Sequence, residues 1–177
     1  TSYVADSSSA WSLSFLTARV RDYGAVGSAR VRCFRPGTES RKLSDKIQVE
    51  DQGDGILIEK TSRLRLTKCP LGYLGTSCNS GSISKMNWQD ALASCENLSL
   101  GGRKWRLPSR YELSFFVDYK KSAPSVFDQT LLSTWYFDND GSSDKNLFWT
   151  ASTRKADPEY AWLVSMSHGH VYYFSNK

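Results

Sequence analysis

Two histidines separated by a single glycine, His168-Gly169-His170, put two imidazoles on one side of a short turn. There they can touch a ligand or, with a third donor from elsewhere, hold a metal. A second run, Asp138-Asn139-Asp140-Gly141-Ser142-Ser143-Asp144, spaces three carboxylates and an amide as a hard cation such as calcium prefers. It has no bidentate Glu at the loop end, and acidic Gly-Ser loops are ordinarily just solvated. Asp138, Asp140 and Asp144 therefore stand as a calcium candidate against a plain loop, in a chain otherwise expected to need no cofactor. Asp51 and Asp54, around Gly53 and Gly55, lack the twelfth-position Glu of a calcium loop and fit a hairpin turn better. Neither the Glu-Pro-Asn nor the Trp-Asn-Asp signature of calcium-dependent sugar binding occurs.

A third set has the chemistry of carbohydrate recognition. Trp135, Tyr136, Arg154, Lys155, Tyr160, Tyr172 and Tyr173 mix rings, which stack on sugar faces, with cations, which pair sulfate or carboxylate. Alternate members of Val171-Tyr172-Tyr173-Phe174 must point into a core, so only some of the set can be contacts. The ligand-contact candidates are Trp135, Tyr136, Arg154, Lys155, Tyr160, His168, His170 and Tyr172.

The four cysteines, Cys33, Cys69, Cys78 and Cys95, form no Cys-x-x-Cys pair, and zinc spacing is absent. Cys69 and Cys78 bracket a Gly-rich excursion suited to a local disulfide, which implies an oxidising compartment. The chain has no Gly-x-Ser-x-Gly elbow, phosphate loop, dinucleotide fingerprint or His-Glu-x-x-His. Two histidines at a hairpin tip make a poor triad, so no enzymatic activity is expected.

The elements that carry these residues read as α+β. Ile47 to Glu59 is strand, Gly-rich turn, strand. Asn87 can cap a helix through Trp88, Ala91, Leu92, Cys95 and Leu98, whose spacing makes one apolar stripe that turns Cys95 inward. Pro108 followed by Ser109-x-x-Glu112, a capping box, starts a second helix through Leu113, Phe116 and Val117. In Trp105-Arg106-Leu107-Pro108 the Trp, the Leu and the helix-starting Pro are what a core corner needs, so the run is assigned to structure. Trp11, Trp149 and Trp162 receive the same assignment from strand alternation. A long polar stretch, 122–146, precedes the strand Phe148-Trp149-Thr150-Ala151-Ser152 and a closing hairpin around Trp162. Long loops on a stapled frame are where binding usually resides.

With 177 residues, 40% apolar and 13% aromatic, the chain can bury one sizeable core. No apolar run approaches the roughly 20 residues that span a bilayer. The opening at Thr1, without an initiator Met or an apolar leader, is what a mature product or a fragment carries. Residues 1–35 hold Arg19, Arg21, Arg30, Arg32 and Arg35 against Asp6 and Asp22, a net +3 of the chain's +5. That bias can steer polyanions, although such arginines more often form a solvated rim or pair with carboxylates. Nucleic acid is not an expected partner of a disulfide-bonded exported chain.

The sequence also matches itself. Ala10-Trp11-Ser12-Leu13-Ser14-Phe15 lies over Ala161-Trp162-Leu163-Val164-Ser165-Met166 at an offset of 151, and Val20 lies over Val171 at the same offset. Both copies alternate apolar and polar residues about a short tip, as a hairpin does. The first copy continues into Ser28-Ala29-Arg30-Val31-Arg32-Cys33-Phe34, whereas the second stops at Lys177 before its equivalent strand. A cysteine on that strand would partner Cys95. Residues 1–35 are read either as the tail of a preceding copy or as a complementing strand, residues 36–45 as a linker, and residues 46–177 as the main domain.

Taken in order, Gly53-Asp54-Gly55, Cys69-Pro70-Leu71-Gly72 with Cys78, Trp88-Gln89-Asp90-Ala91-Leu92, Cys95-Glu96-Asn97-Leu98, Trp105 to Ser109 with Glu112-Leu113, Phe148 to Ser152 and Ala161-Trp162 resemble the C-terminal domain family of the Legionella collagen-like adhesin. The resemblance covers residues 46–177 and implies a C-type-lectin-like fold with two short helices and twisted antiparallel β-hairpins, stapled by disulfides. It implies an exported or cell-surface bacterial protein that adheres to ligands, in some members sulfated polysaccharides, in others as oligomers. Members often end in a Val-Arg-Cys strand, present here as Val31-Arg32-Cys33. The expected function is an extracellular adhesion module whose partner is a polysaccharide or a surface protein of a host or neighbouring cell. The alternative is a filament subunit that binds copies of itself by strand complementation.

Overall fold

The computed structural model describes residues 47–121 and 146–176, together with the backbone of 9–13 and 20–24. The segments 9–13 and 20–24 form an antiparallel hairpin, β1 (Ser9–Leu13) and β2 (Val20–Gly24), with Trp11 opposite Asp22 and Leu13 opposite Val20.

The main domain opens with β3 (Val49–Asp51), β4 (Ile56–Glu59) and β5 (Arg65–Thr67), an antiparallel sheet with β4 in the middle. The carboxylates of the first turn are spent on the backbone. Asp51 Oδ1 accepts the Gly53 N–H at 2.9 Å, Asp54 Oδ1 accepts the Ile56 N–H at 3.1 Å, and Asp51 Oδ2 holds Lys68 Nζ at 2.7 Å. The turn reading of Asp51 and Asp54 accounts for these contacts, and among the described residues no three ligand-type side chains gather into a metal cluster.

All four residues of β4 are buried, including Glu59, which is 1% exposed. Burial pushes its carboxyl upward, but the Ser62 N–H and hydroxyl and the Thr61 N–H all donate to Oε2, and together they hold it below the ordinary carboxylate range. Glu59 thus closes the β4–β5 turn from inside.

A small excursion follows, tied by a Cys69–Cys78 disulfide with Cα atoms 5.4 Å apart. Within it β6 (Tyr73–Leu74) pairs with β7 (Ser80–Gly81). Gly72 and Gly81 both have positive φ and press backbone on backbone, so that a Cβ on either would collide with the other strand.

Helix α1 (Trp88–Glu96) is capped by Asn87, whose side-chain oxygen accepts the Asp90 N–H at 2.8 Å. Only Ala91 of this helix is fully buried, and Leu98 lies beyond its end, so the expected stripe is shallower than its spacing implies. Helix α2 (Arg110–Ser114) carries the expected capping box of Ser109 and Glu112. It is shorter than expected, because Phe116 and Val117 donate to carbonyls three residues back and the chain tightens out of the α-helix. Both residues are nevertheless buried.

The last sheet is β8 (Leu147–Arg154), β9 (Asp157–Ser165) and β10 (Val171–Ser175), with β9 central. Its face, with α2 and the first sheet, buries Val49, Leu57, Leu113, Phe116, Val117, Trp162, Val164, Met166 and Val171 in one core. The result is an α+β, disulfide-stapled domain of two short helices and antiparallel hairpins. In β9–β10, Trp162 stands opposite Tyr173 and Val164 opposite Val171. Every pair of the β1–β2 hairpin therefore maps onto a pair of β9–β10 at the constant offset of 151.

Candidate functional site

Directly opposed residues of an antiparallel pair share a face of the sheet, and successive residues alternate. Tyr173, opposite Trp162, meets its ring edge-to-face with centroids 5.5 Å apart, and Tyr160 meets Tyr173 in the same way at 5.7 Å. The guanidinium of Arg154, at the end of β8, lies over the Tyr173 ring at 4.7 Å. The guanidinium of Arg110, in the first turn of α2, lies 4.7 Å from both the Trp162 and the Tyr111 ring centroids. Tyr160, Tyr173, Trp162 and Tyr111, with the two arginines, thus form one continuous stack. It runs from the buried Trp162 to Tyr111, which is 75% exposed. Each such contact contributes on the order of 0.5–2 kcal/mol.

Of the expected ligand residues, the structure brings Arg154 and Tyr160 into this stack. Lys155 lies beside them, exposed in the β8–β9 turn. Tyr172 and His170 belong to the opposite face, since Tyr172 pairs with Leu163 rather than Trp162. There His170 Nδ1 meets the Tyr172 hydroxyl at 2.9 Å. The expected single binding face is therefore two faces of one sheet. The His168–His170 turn is also not the exposed tip that its variability between the two copies implied. Ser167 and Gly169 are buried, both histidines are half-buried, and Gly169 abuts Val117 and Tyr119. Trp135, Tyr136, Asp138, Asp140 and Asp144 lie outside the described residues, as does Cys33.

Sequence reasoning missed Arg110 and Tyr111, which read only as the opening of a capped helix. Nothing in the local pattern of that run signals that α2 docks on the last sheet. That docking occurs at an irregularity in β8, where residues 150–152 bulge between the Trp149–Leu163 and Thr153–Ala161 pairs. The bulge frees backbone groups for the helices. The Trp88 indole N–H donates to the Thr150 carbonyl at 2.8 Å, the Ala151 N–H to the Pro108 carbonyl at 2.8 Å, and the Arg110 N–H to Ser152 Oγ at 3.0 Å. The Thr150 hydroxyl donates inward to the Trp162 carbonyl at 2.9 Å.

The Trp105-Arg106-Leu107-Pro108 corner is structural, as its composition implied. Trp105 donates to the Leu100 carbonyl at 2.9 Å and Leu107 is buried. Arg106 grips both oxygens of Glu112, at 2.9 and 2.6 Å. That fork, assisted by the Ser109 N–H, lowers the Glu112 carboxyl to about 2.

A concave feature separate from the stack lies on the side of the domain bounded by β5 and α1. It is a groove of about 790 Å³ whose walls include Leu66, Cys95, Leu98, Leu107 and Phe148, with Arg65 among its basic lining residues. Among the described residues Cys95 has no disulfide partner, and burial, with Glu96 nearby, pushes its thiol up.

A family model described as the Lcl C-terminal domain matches residues 49–177. No curated protein and no solved structure matches the chain. Among the described residues no helix is long and apolar enough to cross a membrane.

Proposed function

The chain belongs to the Lcl C-terminal domain family, and on that footing we propose that it is an extracellular or cell-surface adhesion module that binds sulfated or carboxylated polysaccharide and carries out no catalytic step. The observation that supports this reading is the stack of Arg154 and Arg110 against Tyr173, Trp162 and Tyr111. An aromatic ring offers its face to a sugar ring, and a guanidinium held over a ring carries N–H donors at its rim that can pair an oxyanion. Holding both on β-strands and a capped helix fixes their spacing, which lowers the ordering cost of binding an extended polymer. The Cys69–Cys78 disulfide suits an oxidising location outside the cytosol.

The test is binding of the intact chain to immobilised heparin, with chemically desulfated heparin as the control. The reading expects binding to the sulfated form that weakens steeply with salt and falls about tenfold in Arg154→Ala, one lost charge-assisted contact. Equal binding to both polymers, or an Arg154→Ala chain indistinguishable from wild type, would overturn it.

A further inference from the structure

The groove bounded by β5 and α1 reaches the interior of the domain. Leu113 and Phe116, members of the hydrophobic core, line it, as do Ala91 and Leu107, which are also buried. Its volume of about 790 Å³ falls in the range of roughly 300–1,000 Å³ that holds small ligands.

The charge of the lining is one-sided. Arg63, Arg65, Lys85, Arg103, Lys104 and Arg106 line the groove against a single carboxylate, Glu112, which the Arg106 fork already occupies. Arg63, Arg65, Arg103 and Lys104 are exposed, and none of the four enters a salt bridge among the described residues. Buried apolar side chains thus make the floor and exposed cations the rim. That combination is complementary to a molecule with an apolar body and an anionic head.

We propose that the groove binds a single-chain anionic amphiphile of the fatty-acid type, with the alkyl chain on the buried floor and the carboxylate among the rim cations. A sulfated polysaccharide supplies anions but no apolar chain to cover Leu113 and Phe116. Neither Arg154 nor Trp162 lines the groove, so this site is independent of the aromatic stack. An acidic peptide added beside β5 would find only the three residues Arg65–Thr67 to pair with. A bilayer surface is met by protruding apolar side chains, and the large exposed ones, Leu74, Tyr111, Phe115 and Phe174, all lie outside the groove. A recessed floor admits one chain from solution.

Chain length then sets the affinity. Each methylene buried tightens binding roughly fourfold, so two of them give about tenfold or more.

The experiment is isothermal titration calorimetry of the intact chain with sodium dodecanoate, sodium decanoate and dodecyltrimethylammonium chloride, each below its micelle concentration. The expected result is one dodecanoate per chain, bound about tenfold more tightly than decanoate and at least about tenfold more tightly than the cation of the same chain length. The double variant Arg103→Glu, Lys104→Glu changes two exposed rim residues and should weaken dodecanoate about tenfold while narrowing its advantage over the cation. Arg154→Ala, on the stack, should leave dodecanoate within about twofold, so that loss of heparin binding and loss of this site are read separately. Equal affinity for decanoate and dodecanoate, equal binding of the cation, or an unchanged double variant would overturn the proposal. Capture of a poly-glutamate peptide, or co-sedimentation with phosphatidylglycerol vesicles, by protein that does not bind dodecanoate would overturn it too and assign the groove to an acidic peptide or to a lipid surface.

Discussion

Arg106 holds both carboxylate oxygens of Glu112 in a two-bond fork, at 2.9 and 2.6 Å, across the corner that starts α2. The same carboxylate accepts the Ser109 N–H, so one side chain closes the helix cap and braces the Trp105-Arg106-Leu107-Pro108 turn. The Glu112 carboxyl is lowered from 4.5 to about 2, first by the Arg106 hydrogen bonds. A depressed folded-state value gives stability that is fully present above about pH 4.5 and is lost as pH falls toward 2. Arg106 is 64% exposed, so solvent screening reduces the contribution to about 1–2 kcal/mol. Urea unfolding of Glu112→Gln should show that loss at pH 7, and the gap from wild type should close by pH 2.

Reducing the Cys69–Cys78 bridge should cost about 2.5 kcal/mol, the loop-closure value for its separation of 9 residues. Denaturant midpoints with and without a phosphine reductant measure it. The Cys69→Ala, Cys78→Ala double variant should lose a similar amount and become insensitive to reductant if no other disulfide bears on stability.

Thr150 is fully buried and donates to the Trp162 carbonyl from within the β8 bulge. Thr150→Val keeps the shape but strands that carbonyl, at about 1–3 kcal/mol. The same change should weaken heparin binding, since Trp162 carries Arg110 and Tyr173. Loss of stability with unaltered binding would separate the bulge from the stack.

Gly169 has φ near +72° and a Cβ built on it would lie 2.7 Å from Val117 Cγ1. Gly169→Ala should therefore destabilise by about 1–3 kcal/mol through strain and the displaced core residue. Thermal unfolding checks this; a neutral outcome would mean that the turn is looser than its packing indicates.

His168→Ala and His170→Ala should leave heparin binding near pH 7 within about twofold, because His170 meets Tyr172 on the face opposite Trp162 and the His168 ring lies beside that of His170. Arg110→Ala should weaken it about tenfold. Parallel titrations of the three variants distinguish the two faces of the sheet.

What the sequence determined by itself was short-range. The Cys69–Cys78 staple, the Asn87 cap, the Ser109–Glu112 box and the turn role of Asp51 and Asp54 each depend on residues within about ten positions of one another. Their chemistry is written in type and spacing. The two hairpins were legible as well, because alternation fixes a face wherever one side is buried. The family-level resemblance likewise agrees with the match over residues 49–177.

Only the tertiary structure decided which of those elements meet. That Arg110 of α2 reaches Trp162 of β9 depends on the bulge in β8, a three-against-one irregularity that the run Trp149-Thr150-Ala151-Ser152-Thr153 does not announce. The binding candidates Tyr160 and Tyr172 separated for the same kind of reason. Each sits on an alternating strand, but the pairing of β10 against β9, a non-local register, sets which face each shares with Trp162. Local propensity fixes an element and its period, while register and docking are settled by packing between distant segments.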